Sequence, residues 1–239
     1  MTTTSSLLIL AEGHWGTGFL FTPLLLWLFV CASGMAPLIL LRYSNFTPVD
    51  EPIPIFKKSL SVLDPVWIDE NGFQGKSAIQ PMGIPMAIFT NTDQTIAMAV
   101  YFAGGQRVLD LVSKFSGDIS LTTSTTIDGP VVPAPPGVMY QGFKGCKPEK
   151  LLQLHRDGIE FLQGHLQTEL VLHEDVASSM QQFIGRQLTF LFTRPWNILA
   201  LPYRYAVTRF VRQNTTIEQQ EEKGIINLDS LIHQARDAA

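Results

Sequence analysis

Hydrophobic positions are concentrated at one end of this chain. No charged residue occurs between His14 and Arg42, and Leu, Phe, Ile and Val dominate Phe19–Leu41. Each such residue favours insertion by roughly 0.3–0.6 kcal/mol near a helix centre, and about 20 residues of helix cross the hydrocarbon core. The pattern predicts a transmembrane helix over 15–42 behind a short exposed N-terminus, 1–14. Trp15 takes an interfacial position, Pro23 is tolerated in the first turns, and Pro37, after Ser33 and Gly34, kinks or ends the helix. Residues 1–14 contain no Lys or Arg, so the segment does not read as a cleaved signal peptide.

Pro48, Pro52 and Pro54 make 43–56 a linker. Beyond it, 57–212 reads as one domain. From about residue 84 the period shortens to two. Ile84–Thr90, Thr95–Phe102, Val108–Phe115 and Ile119–Thr126 read as strands, turned at Asn91–Gln94, Gly104–Gly105 and Gly117–Asp118. Turns this short require an antiparallel β-meander. The proline-rich stretch from Asp128 to Gly137 reads as a stiff loop crossing the sheet, with Val138–Phe143 a further strand. The period then lengthens. Leu152, His155, Ile159, Leu162, Leu166 and Leu170 form one helical stripe, and Val176, Met180, Ile184, Leu188 and Leu191 a second, interrupted at Arg194-Pro195. The expected fold is α+β: an N-terminal transmembrane helix, then an antiparallel meander packed by two or three C-terminal helices. Residues 213–239 form an acidic tail, whose Ile225–Ala235 portion is a short helix or a frayed, solvated end.

Charge adds direction. Basic residues flank the apolar helix only on its C-terminal side, at Arg42, Lys57 and Lys58, which places the N-terminus outside and the domain in the cytoplasm. Glycosylation of the sequon at Asn45 or at Asn214 would invert that orientation. The net charge of −4 argues against a general nucleic-acid binder. Within the domain, however, 183–212 carries Arg186, Arg194, Arg204, Arg209 and Arg212, with no acidic residue between Asp175 and Glu218. Phe183, Phe190, Phe192, Trp196, Tyr203, Tyr205 and Phe210 are interleaved. An unopposed basic face with aromatic bulk suits an anionic bilayer surface, and Arg186, Arg194, Trp196, Arg204, Arg209 and Arg212 are the expected contacts with lipid head groups. The same pattern also fits a pair of helices packed on their own domain with solvated arginines, or docking on an acidic partner or nucleic acid.

Candidate chemistry is sparse. His165, Glu169 and His173 fall on one edge of a continuous helix, but the two histidines stand about 12 Å apart, too far for one metal ion. His155 lies on the apolar stripe, as a packed and hydrogen-bonded histidine does. Cys146 between Lys144 and Lys147 could carry a lowered pKa, although no resolving cysteine accompanies it. No nucleophile elbow, zinc-protease or phosphate-loop motif occurs, and no cofactor is implied. The expectation is a membrane-anchored accessory, scaffolding or assembly protein with a membrane-protein partner. The alternative is a membrane-bound enzyme or sensor acting on a lipid or lipid-linked ligand, which requires a pocket joining His155 or His165 to carboxylates.

Overall fold

The computed structural model describes residue 22 and residues 25–237, apart from 34, 37, 43, 45, 47, 62, 104, 130, 131, 168 and 174. The expectations for 1–14, Trp15, Pro23, Gly34 and Pro37 lie outside the described residues.

Helix α1, Leu25–Arg42, is the one helix among the described residues that is long and apolar enough to cross a membrane. Leu25, Leu26, Phe29 and Leu40 face outward, while Cys31 is buried. Helix α2, Ile53–Leu60, starts inside the expected linker. Pro54 occupies its first turn, where a missing N–H costs nothing, so proline here opens a helix instead of suppressing one. Helix α3, Pro65–Glu70, follows, its first turn capped by the Asp64 carboxylate accepting from Val66 N–H at 2.9 Å.

The sheet has seven strands: β1 (Gln74–Ile79), β2 (Met86–Thr90), β3 (Ala97–Ala103), β4 (Gln106–Phe115), β5 (Ile119–Ser124), β6 (Val138–Gly142) and β7 (Leu170–Val171). Strands β2 to β5 form the expected meander, and β1, which the sequence did not announce, adds to its edge antiparallel to β2. The sheet is mixed, however, because β6 pairs parallel to β5, with Ser120 opposite Val138 and Ser124 opposite Gly142. The proline-rich connection is long enough to carry the chain back to the start of β5, which a two-residue turn could not do. β4 outruns β3, and β7 fills the free edge by pairing Leu170 with Phe115.

Alternation gives the sheet two different faces. On the first, Met98, Val100, Leu109, Leu111 and Leu121 pack under helix α4, Pro148–Leu166, and against Trp67 and Phe73. Helix α4 comes very close to β5 at Gly158, where an added Cβ would lie 2.9 Å from Leu121 Cδ2. The tail is not frayed here. Helix α9, Ile217–Glu222, has a full capping box between Thr216 and Gln219, and helix α10, Leu228–Asp237, buries Leu228 and Ile232 in this core. Apolar positions four apart outweigh the acidic character of the segment.

The second face carries Ile79, Ile88, Ala97 and Ala99 toward Val176 and Ala177 of helix α5, Val176–Phe192, with Met180, Ile184 and Leu41 alongside. The chain then turns through α6, Pro195–Leu199, and α7, Leu201–Tyr203, into a π-turn at Arg204–Thr208 and α8, Arg209–Val211. The two expected helical stripes are thus α4 and α5, and beyond them the helix continues in several short pieces, because Pro195 and Pro202 each restart it.

Candidate functional site

The expected membrane-contact segment lies beside α1. The Trp27 indole N–H donates to the Leu199 carbonyl at 3.1 Å, and the Arg42 guanidinium sits 5.3 Å from the centre of the Phe192 ring. Trp27 and Arg42 are 15 residues apart, about 22 Å along a helix, so the turn from α5 into α6 follows α1 over most of its described length. The same segment exposes Trp196, Leu199, Tyr203, Tyr205, Phe210 and Val211, and α1 exposes Leu25, Leu26, Phe29 and Leu40.

Its arginines do not form one unopposed face. Arg186 pairs with Asp118 at 3.0 Å and Arg209 with Asp128 at 3.4 Å. Both acids come from loops next to β5, remote in sequence, so a local count of acidic residues missed them. Arg194 stacks on Phe190 at 4.1 Å, and Arg209 on Tyr205 and Phe210. Trp196 is exposed. Arg204 and Arg212 turn inward and line a cavity.

That cavity, of about 480 Å³, lies between the second face of the sheet and α5. Strand register sets its floor: Asp110 stands opposite Ala99 and Ser124, and Thr122 opposite Val112 and Tyr140, so Asp110, Thr122 and Tyr140 share one face. Met180, Phe183 and Ile184 roof it. The Tyr101 hydroxyl donates to Asp110 Oδ2 at 2.9 Å, whereas Asp110 Oδ1 and Thr122 Oγ1 are buried without a hydrogen-bond partner among the described residues. Burial raises the Asp110 pKa, against the opposing pull of the Ser124 and Tyr101 hydroxyls. Burial also raises Tyr101, with Asp110 adding to the effect. Arg212 is held below its ordinary value by burial and by the like charge of Arg204. The local signal for this site was Asp110 itself, an acid in the otherwise apolar run Val108–Val112.

The histidines lie elsewhere. His155 is wholly buried on the opposite face of the sheet, inside a closed chain of hydrogen bonds. Gln141 Nε2 donates to Thr123 Oγ1 at 2.8 Å, and the Thr123 hydroxyl reaches His155 Nδ1 at 2.7 Å. His155 Nε2 reaches Ser113 Oγ at 3.1 Å, and that hydroxyl donates to the Thr95 carbonyl at 2.8 Å. Every donor along this chain finds an acceptor if the ring is neutral and protonated on Nε2. Burial, then His173 and Arg156, push the His155 pKa down to about 3. It is a packed, hydrogen-bonded histidine, as expected, with no access to a substrate.

The expected stripe of His165, Glu169 and His173 is not on one helix, because α4 ends at Leu166 and Gln167 adopts a left-handed conformation. His165 pairs with Asp229 at 2.9 Å on the surface, while buried His173 bonds the Val112 carbonyl at 3.1 Å. Burial raises the Cys146 pKa against the opposing charge of Lys150, so the flanking lysines do not activate it. No group of three or more metal-ligating side chains occurs among the described residues. Comparison with protein-family models, curated proteins and solved structures gives no match to this chain.

Proposed function

We propose that this chain is a membrane-anchored accessory protein. In this reading α1 crosses the bilayer with its N-terminus outside, and the sheet domain stands on the cytoplasmic side. The segment 192–211 supplies a second apolar contact with the same membrane. One observation carries the proposal: the Trp27–Leu199 hydrogen bond joins the anchor to a segment that exposes Trp196, Tyr203, Tyr205 and Phe210. An apolar surface joined to a membrane helix belongs against lipid or against the membrane-embedded part of a partner. The basic flank at Arg42, Lys57 and Lys58 supports the orientation. The closed hydrogen-bond chain around His155 supports a structural use of that residue.

The pairing of Arg186 and Arg209 with acids narrows the proposed head-group contacts. Arg194 is the arginine best placed to meet an anionic surface, with Trp196 beside it. Co-purification of the full chain in mild detergent tests the accessory role. A stoichiometric membrane protein in the eluate is expected, and recovery of the chain alone would count against it.

The alternative reading, a sensor or enzyme for a lipid-linked ligand, draws on a different observation. A pocket exists, but it joins Asp110 to Arg204 and Arg212, with neither His155 nor His165 in it.

A further inference from the structure

The second face of the sheet is packed in one half and open in the other. Along β1 to β3 it presents Ile79, Ile88, Ala97 and Ala99, which meet Val176 and Ala177 closely. Along β4 to β6 the same face presents Asp110, Thr122 and Tyr140 instead, under the apolar side chains of Met180, Phe183 and Ile184. Asp110 and Thr122 thus sit among Val108, Val112 and Val138 on this face, beneath side chains that are largely apolar. A buried polar atom without a partner costs about 1–3 kcal/mol, and such atoms call for a specific explanation. Asp110 Oδ1, Thr122 Oγ1 and Arg212 Nε are all in this condition, and all three residues line the one cavity.

The charges point to the class of ligand. Arg204 and Arg212 are half-buried neighbours, each carrying a charge that opposes the other's, with no acidic partner within ion-pair distance among the described residues. Like charges held together in a half-buried site are relieved by an anion that bonds both, and guanidinium forks match carboxylate and phosphate oxygens. The apolar roof continues into Val132 and Ala134 of the proline-rich loop, which gives an attached hydrocarbon chain a surface to cover. The cavity volume falls toward the lower part of the roughly 300–1,000 Å³ range of small-molecule sites, which suits one chain with its head.

We propose that this cavity binds a single-chain anionic amphiphile. Its carboxylate or phosphate head is held between Arg204 and Arg212, and its chain lies under Met180, Phe183 and Ile184. The site does not depend on insertion of 192–211 into lipid, so failure of one proposal leaves the other standing.

The test uses the full chain in phosphatidylcholine nanodiscs, with thermal unfolding followed as ligand is added. Octanoate and octyl phosphate are expected to raise the midpoint, while octanol and inorganic phosphate are not. Arg204→Gln with Arg212→Gln is expected to weaken the octanoate effect roughly tenfold or more. Val132→Trp, which fills the chain side and leaves both arginines in place, is expected to weaken it as well. A double variant that unfolds at the parent's midpoint and responds equally to octanoate would overturn the proposal. So would an equal response of the parent to octanol, or one to inorganic phosphate matching that to octyl phosphate. If the double variant does not fold, Val132→Trp decides: an unchanged octanoate response rejects the chain site, and a lost one supports it.

Discussion

Replacing His155 with Gln removes a titrating group while keeping a donor and an acceptor in the closed chain between Thr123 and Ser113. In the folded protein the imidazole stays neutral down to about pH 3, against an ordinary value of 6.5. Between those limits the unfolded chain binds a proton that the folded chain refuses, so stability rises with pH across this window and is lost on acidification. Each pH unit is worth ~1.4 kcal/mol, which makes the loss from pH 6.5 to pH 5 about 2 kcal/mol from this residue alone. That corresponds to roughly 4–8 °C in the unfolding midpoint of a domain this size. His173, held near pH 4 by burial and by Lys114, contributes with the same sign. Asp110 contributes with the opposite sign, because its raised pKa lets the folded state take up a proton first. The comparison of parent with variant cancels both. The assay is thermal unfolding of each protein at intervals from pH 7.5 to pH 5, followed by circular dichroism. The His155→Gln variant is expected to lose about one proton's worth of slope below pH 6.5. Equal slopes for the two proteins would refute the argument that His155 is neutral and sealed.

Other substitutions test other parts of the structure. His155→Leu leaves the Thr123 hydroxyl without its acceptor while Ser113 keeps its bond to the Thr95 carbonyl, and is expected to cost more than His155→Gln at pH 7.5, by about 1–3 kcal/mol in denaturant titrations. Gly158→Ala gains up to about 1 kcal/mol of helix propensity but drives a methyl group to 2.9 Å from Leu121 Cδ2, so net destabilisation of about 1–3 kcal/mol is expected. A stabilised variant would show that α4 can lift from β5. Arg186→Ala removes a partly exposed pair with Asp118 and is expected to shift stability by less than ~1 kcal/mol in the same titrations. Expression in a glycosylating host should leave the sequons at Asn45 and Asn214 unmodified; a mass increase removed by a glycosidase would reverse the orientation proposed for α1.

Local signals carried part of this fold. The turns at Asn91–Gln94 and Gly117–Asp118 and the alternation of β3 and β4 were readable because turn chemistry and period two agree there. Strand β1 was not, since Gln74, Gly75, Lys76 and Ser77 carry no apolar alternation and the strand is bulged between Gly75 and Ser77. The parallel partner β6 was legible as a strand but not in its direction, which depends on where a proline-rich crossover returns. The arginines of 183–212 were found, yet their acid partners Asp118 and Asp128 are set by tertiary approach. The cavity needed the register of two strand pairs, β4 with β5 and β5 with β6, to bring Asp110, Thr122 and Tyr140 onto one face, information that no local window contains.

The central claim is that α1 and 192–211 meet the membrane together. Spin labels placed singly at Trp196, Tyr203 and Phe210, in the full chain with Cys31→Ala and Cys146→Ser, report immersion depth in a phosphatidylcholine bilayer containing anionic lipid. Collision with oxygen should exceed collision with a water-soluble nickel complex at all three positions, while a label at Lys144 shows the reverse. Labels at 196, 203 and 210 as accessible to the nickel complex as the one at 144 would contradict the account.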